Sequence, residues 1–143
     1  MGRKRSSRTP ARARKRRAYS VFLSHATYDK WIARILCEKI EAAGAVVFRD
    51  DRDIEGGEAI PAAIRKAIRD TDEVVVLLTP ESITRQWVLI ELAMASMAEK
   101  RIVPLLNHID SQQIPGIIRD ARGFALNDLD GYLADLTKRM ERL

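Results

Sequence analysis

Val74-Val-Val-Leu-Leu-Thr-Pro80 decides the fold. The run from Val74 to Leu78 has no polar alternation, which marks a strand covered on both faces and therefore a parallel sheet between two layers of helix. Thr79-Pro80 ends it, because proline cannot donate to a ladder. Working outward, helical and extended patterns alternate. Upstream, Pro61 opens a helix whose stripe is Ile64, Ala67 and Ile68, closed by Asp70-Thr-Asp72. Before it, Ala45-Val-Val-Phe48 and Ala18-Tyr-Ser-Val-Phe-Leu-Ser-His25 read as strands. Between them, Trp31, Ile32, Ile35, Leu36 and Ile40 recur at helical spacing, with Asp29 or Thr27 as cap and Ala43-Gly44 as stop. Downstream come a helix over Trp87–Ala98, a strand at Ile102-Val-Pro-Leu-Leu106, loop or short turns from Gln112 to Arg122, a weak strand at Phe124-Ala-Leu126, and a last helix over Leu129–Leu143. Tyr132, Leu133, Leu136 and Met140 would face inward on that helix, and Pro104 argues against a central place for the fourth strand.

This alternation specifies a flavodoxin-like three-layer α/β/α domain over residues 18–143, with a five-stranded parallel sheet in the order 2-1-3-4-5 and right-handed crossovers. In that order ligands bind beyond the carboxyl ends of the strands, where the winding reverses between the first and third. The crevice would be lined by Ser24, His25, Phe48 to Asp50, Thr79 and one face of the helix after the third strand.

That helix carries the anomaly. Between Trp87 and Ala98 every residue is apolar or small except Glu91. Trp87 and Glu91 are spaced i, i+4, roughly 5–6 Å apart on one face. Ile90, Ala93, Met94 and Met97 would form the packing stripe, leaving the pair at the border of core and crevice. A carboxylate beside an indole is poorly solvated, so its charged form is disfavoured unless a donor or ligand meets it. The plainer reading is a core-edge glutamate bonded to a backbone N–H or an arginine, with Trp87 as filler.

Composition bounds the alternatives. Hydrophobic residues make up 46% and charged residues 31% of the chain, ordinary for one globular domain. The net charge of +5 belongs to the first 17 residues. They hold nine of the 25 Lys/Arg and no acid, so the remaining 16 bases face 20 acids and the body carries −4. Residues 1–17 lack the apolar core of a signal peptide and read as a disordered basic arm. Such an arm meets nucleic acid or anionic lipid through counterion release, acts as an address, or is merely solvated. No stretch approaches the ~18 apolar residues of a membrane span. Cys37 stands alone, which fits a reducing, cytoplasmic location. His25 and His108 are isolated, so no metal site is expected, and Asp50-Asp51 with Asp53 read as a solvated loop.

Taken together these segments resemble the TIR domain family. Tyr19 to His25 with Asp29-Lys30 resembles its first box, and Val47-Phe-Arg-Asp-Asp-Arg-Asp-Ile-Glu-Gly-Gly-Glu58 its second strand and BB loop. Trp87-Val-Leu-Ile-Glu91 looks like the WxxxE signature, and Lys100-Arg-Ile-Val-Pro-Leu105 resembles the fourth strand, proline included. The match is good over 19–106 and loose beyond. In members that degrade NAD+, the glutamate of this signature sits at the ribose next to nicotinamide and is required for cleavage, a role the resemblance puts on Glu91. It also implies that Ser24, His25, Phe48, Arg49 and Trp87 bind the substrate, and that Asp50, Asp53, Ile54, Gly56 and Gly57 form an interaction loop for TIR–TIR self-association. NAD+ is then a substrate, and no cofactor is implied. Some NAD+-cleaving relatives carry arginines after the first strand where this chain has Ala26 and Thr27, so Arg49, Arg52 or a second protomer would have to neutralise the diphosphate. A TIR unit standing alone resembles bacterial effectors of antiphage defence, which make a linear or cyclic ADP-ribose signal for a downstream effector.

Three rivals compete. A non-catalytic TIR module would work through Asp50 to Glu58 and leave Glu91 incidental. A response-regulator receiver shares the strand order but needs an acidic pair after the first strand and an aspartate after the third, where Ser24-His25 and Thr79-Pro80 stand. A nucleic-acid binder would rely on the arm alone, since the body has no reading motif.

Overall fold

The structure is a computed structural model and describes residues 17–49 and 61–143. The arm up to residue 16 and the segment 50–60 lie outside the described residues. The elements are β1 (Ser20–Ser24), α1 (Lys30–Ala42), β2 (Val46–Arg49), α2 (Ala62–Asp70), β3 (Glu73–Leu78), α3 (Gln86–Met97), β4 (Arg101–Leu106), β5 (Phe124–Ala125) and α4 (Leu129–Glu141). The five strands form one sheet in the order β2-β1-β3-β4-β5, with every neighbouring pair parallel. Central β3 is buried at all six positions, as an unbroken aliphatic run requires.

Side-chain alternation sorts the sheet's residues into two layers. On one face Val21, Leu23, Val75, Leu77, Val103 and Leu105 pack against Ala33, Leu36 and Ile40 of α1 and Tyr132 and Leu136 of α4. On the other, Phe22 and Val74 meet Ile64, Ile68, Trp87 and Ala95, while Val76 and Leu78 meet Val88, Leu92 and Ile118. Ser24 shares the parity of Phe22 and faces α3.

Four expectations are corrected. The packing stripe of α3 is Trp87, Val88, Glu91, Leu92 and Ala95, whereas Met97 is 86% exposed. Trp31 points to solvent instead of packing on the sheet. Neither Asp29 nor Thr27 caps α1, because the Asp29 carboxylate is drawn into another hydrogen bond. Pro104 lies within an interior strand, between β3 and β5. Short β5 pairs only with Leu105 and Leu106, so on that side Pro104 has no ladder position to leave empty.

Gly123 closes on the same spot. A Cβ there would stand 2.6 Å from the Pro104 carbonyl oxygen, inside any tolerated contact with a backbone atom. Gly123→Ala should therefore push β5 off β4 and cost about 1–3 kcal/mol as overpacking. A urea midpoint matching wild type would refute the close approach.

Arg17, counted above with the arm, grips Asp72 with both guanidinium nitrogens at 2.8 Å. Asp72 also accepts from the Ser20 backbone N–H at 2.8 Å. The Arg17 hydrogen bond holds the Asp72 carboxyl below the usual range. Its contribution to stability is thus present above that range and is lost as pH falls through it.

Candidate active site

The site grows from the carboxyl end of β1. Ser24 is its last residue, and its hydroxyl donates to Glu91 Oε1 at 2.6 Å across the gap to α3. Serine is 1% exposed and the carboxylate 1%. A bond this short and buried is the charge-assisted kind, stronger than one between neutral groups. One turn earlier on α3, Trp87 is 3% exposed and its indole Nε1 finds no acceptor among the described residues. Buried indole N–H groups usually have a partner. The orphan donor beside a buried carboxylate is what a polyhydroxylated ligand would satisfy on both counts.

Around this pair the neighbouring turns are tied together. The Thr79 hydroxyl donates to Asp29 Oδ2 at 2.6 Å, linking the turn before α1 to the end of β3. The Ser82 hydroxyl donates to the Leu77 carbonyl at 2.8 Å, accepts from the Thr79 N–H at 2.8 Å, and the Ser82 N–H returns to Thr79 Oγ1 at 3.0 Å. This lattice fixes the chain between β3 and α3, and with it where α3 starts. Asp29, Thr79 and Ser82 thus position the site, yet only Thr79 was expected there. The signal for the others was weak, since Asp and Ser near helix starts ordinarily read as caps.

Among the expected substrate residues, the structure brings Ser24, Trp87 and Glu91 together directly. Phe48 joins them through Phe22: its ring stacks on Phe22 with centroids 5.4 Å apart, and Phe22 packs in the cluster that holds Trp87. Phe48 is 42% exposed and offers a free ring surface. His25 follows Ser24 and is buried, with Nδ1 2.8 Å from the Ala26 carbonyl. A carbonyl only accepts, so the hydrogen sits on Nδ1.

Arg49 is not brought to the site. It is the last residue of β2, paired with Leu23. Alternation turns it to the α1 face, away from Phe48. There it hydrogen-bonds Cys37, opposing the rise that burial and Glu41 impose on that thiol. Asp50, Asp53, Ile54, Gly56 and Gly57 lie outside the described residues. Two open clefts occur elsewhere, one at the amino edge of the sheet by Arg17 and Lys100, the other by Ile83, Leu89 and Ile117. Among the described residues no helix is long and apolar enough to cross a membrane.

The Ser24 bond has a measurable weight. Ser24→Ala removes a buried donor from a carboxylate, and such hydrogen bonds are worth about 1.5–3 kcal/mol. The variant should melt several degrees lower, and an unchanged denaturation midpoint would mean the bond is incidental.

A family model described as TIR domain matches residues 21–142, nearly the whole folded body. The chain belongs to the TIR domain family. Its relatives include a probable 2' cyclic ADP-D-ribose synthase of Brachypodium distachyon, 27% identical over 80% of this chain and 53% of that protein. Another is an NAD(+) hydrolase of Paracoccus denitrificans, 26% identical over 82% of this chain and 43% of that protein. The chain therefore spans about half or less of the length of these relatives. In fold, this TIR domain is similar to that of a Toll-related receptor from Hydra magnipapillata, with a TM-score of 0.67, 21% identity, and coverage of 86% of this chain and 98% of that one.

Proposed function

We propose that this TIR domain is an NAD+ nucleosidase, cleaving the bond between nicotinamide and ribose to give nicotinamide and an ADP-ribose product. The observation that carries the reading is the Glu91 carboxylate held by Ser24 at the carboxyl edge of the sheet, where this strand order places ligands. The names of the plant and Paracoccus relatives support the same chemistry. As the glycosidic bond breaks, its electron pair returns to the pyridine nitrogen and positive charge spreads over the ribose ring. A carboxylate fixed beside the sugar stabilises that charge and holds the hydroxyls. Nicotinamide leaves neutral, so no general acid is needed. Water then adds at the anomeric carbon and releases a proton, or an internal nucleophile of the same molecule closes a ring. Trp87 and Phe48 would line the pocket, with His25 at its nicotinamide end. The product would serve as a signal to a downstream effector in defence, with self-association of TIR domains switching on the reaction.

Glu91 is 1% exposed, and that observation favours a second reading. A carboxylate closed to solvent in the resting chain suits a docking module that works through Asp50, Asp53, Ile54, Gly56 and Gly57. The two readings separate cleanly. The purified chain, concentrated enough to assemble, is incubated with NAD+ and the products are resolved by mass. Nicotinamide with a linear or cyclic ADP-ribose is the expected outcome, and NAD+ left intact at every protein concentration returns the chain to the docking module.

A further inference from the structure

We propose that Tyr28, Trp31 and Arg34 form the platform for the purine and diphosphate end of the dinucleotide, a placement that rests on NAD+ as the substrate. Tyr28 is 76% and Trp31 69% exposed, the most exposed aromatic rings among the described residues. Their three-residue spacing across the start of α1 sets both rings on one side of the chain. Arg34, three residues further, is exposed and makes no ion pair among the described residues. Large aromatic rings contribute most to stability when buried, so two left in water beside a free guanidinium are an unusual use of those residues.

Their position matches the need. Tyr28 lies four residues beyond Ser24, so its Cα is within about 14 Å of the Ser24–Glu91 pair's strand end, even on a fully extended path. Trp31 sits in the first turn of α1, at the same carboxyl edge of the sheet. Flat rings stack on any nucleobase, and a guanidinium pairs with phosphate oxygens in bidentate fashion. The chain also lacks the obvious alternative cations for the diphosphate. Ala26 and Thr27 follow β1 where some relatives carry arginines, and Arg49 is turned to Cys37 on the opposite face. Arg34 supplies the charge that those positions do not.

The experiment uses the full chain and ADP as probe, with calorimetry for affinity and acrylamide quenching for exposure. Trp31 and Trp87 are the only tryptophans, and Trp87 is 3% exposed, so quenching reports Trp31. ADP should shield Trp31, and Trp31→Ala should weaken ADP binding about tenfold or more, with Trp31→Phe within about threefold of wild type. Arg34→Ala should weaken ADP but leave adenosine unaffected. In nicotinamide release, Trp31→Ala should raise KM while kcat stays within about twofold, the pattern of lost uniform binding. Wild type that binds no ADP, equal ADP affinity in Trp31→Ala, or shielding of Trp31 by protein concentration alone, which assigns the patch to a second copy, each overturn the platform. Release of nicotinamide with a KM indifferent to Trp31→Ala overturns the platform and keeps the reaction. ADP binding with these residue dependences but no release keeps the platform and retires the reaction.

Discussion

Glu91→Gln should abolish nicotinamide release while leaving the fold standing. The amide has the same shape, and its carbonyl oxygen can still accept from the Ser24 hydroxyl, so the 2.6 Å bond across β1 and α3 survives in kind. What disappears is the negative charge. An interaction of this type with charge that develops only in the transition state is worth about 10²–10³ in rate, and more in a water-excluded site. The loss should fall equally on kcat and kcat/KM, as for a contact made only in the transition state. Stability should move the other way or not at all. Glu91 is 1% exposed on the packing face of an otherwise apolar helix, and a charge there costs more to bury than an amide. A variant that is inactive yet at least as stable as wild type would show a group kept at a cost to the fold. Equal release by wild type and Glu91→Gln would make the carboxylate a bystander and return the chain to the docking reading.

The sequence revealed the site's centre more reliably than its rim. Val74 to Leu78 could be only a strand buried on both faces, and β3 is buried throughout. A single charge in α3 needs no structure to be noticed. Which stripe of α3 faces the sheet was another matter, because a helix apolar on nearly every side has no periodicity to read. Met97 was placed inward and is 86% exposed, while Glu91 lies in the packed stripe itself. Arg49 failed for a different reason. Ending β2 at Phe48 leaves Arg49 in a loop free to reach the crevice, but one more residue of strand hands it to the opposite face. Trp31 has a helical spacing compatible with the core, and only packing against a particular sheet decides that it stays outside.

Least legible of all was a buried ion pair at the other end of the sheet, and breaking it should have the largest effect on stability. Glu73 opens β3 and is fully buried. It accepts from the Tyr19 hydroxyl at 2.7 Å, the Tyr132 hydroxyl at 2.6 Å, and Arg139 through Nε at 2.9 Å and Nη2 at 3.1 Å. The partners are 54, 59 and 66 residues away, so no local pattern announces them. Four donors on one carboxylate clamp α4 to β1 and β3. Glu73→Ala would strand the Arg139 guanidinium, whose side chain is 12% exposed, and two buried phenols. Breaking such a pair from one side costs about 3–5 kcal/mol. Against a typical total of about 5–15 kcal/mol, that is enough to unfold a large share of the molecules near physiological temperature. Lys66→Ala, which removes an exposed pair with Asp70 on α2, should by contrast leave the midpoint where it is. The clamp also sets an alkaline limit. Burial, with Glu73 adding to it, pushes the Tyr19 hydroxyl up to about 12. The stability it lends is fully present below the ordinary tyrosine value near 10 and is lost as pH rises toward 12. Urea titrations of Glu73→Ala and wild type at neutral pH, repeated for wild type between pH 9 and about 12, measure both effects. A Glu73→Ala midpoint within about 1 kcal/mol of wild type would mean that α4 is held by its apolar face alone.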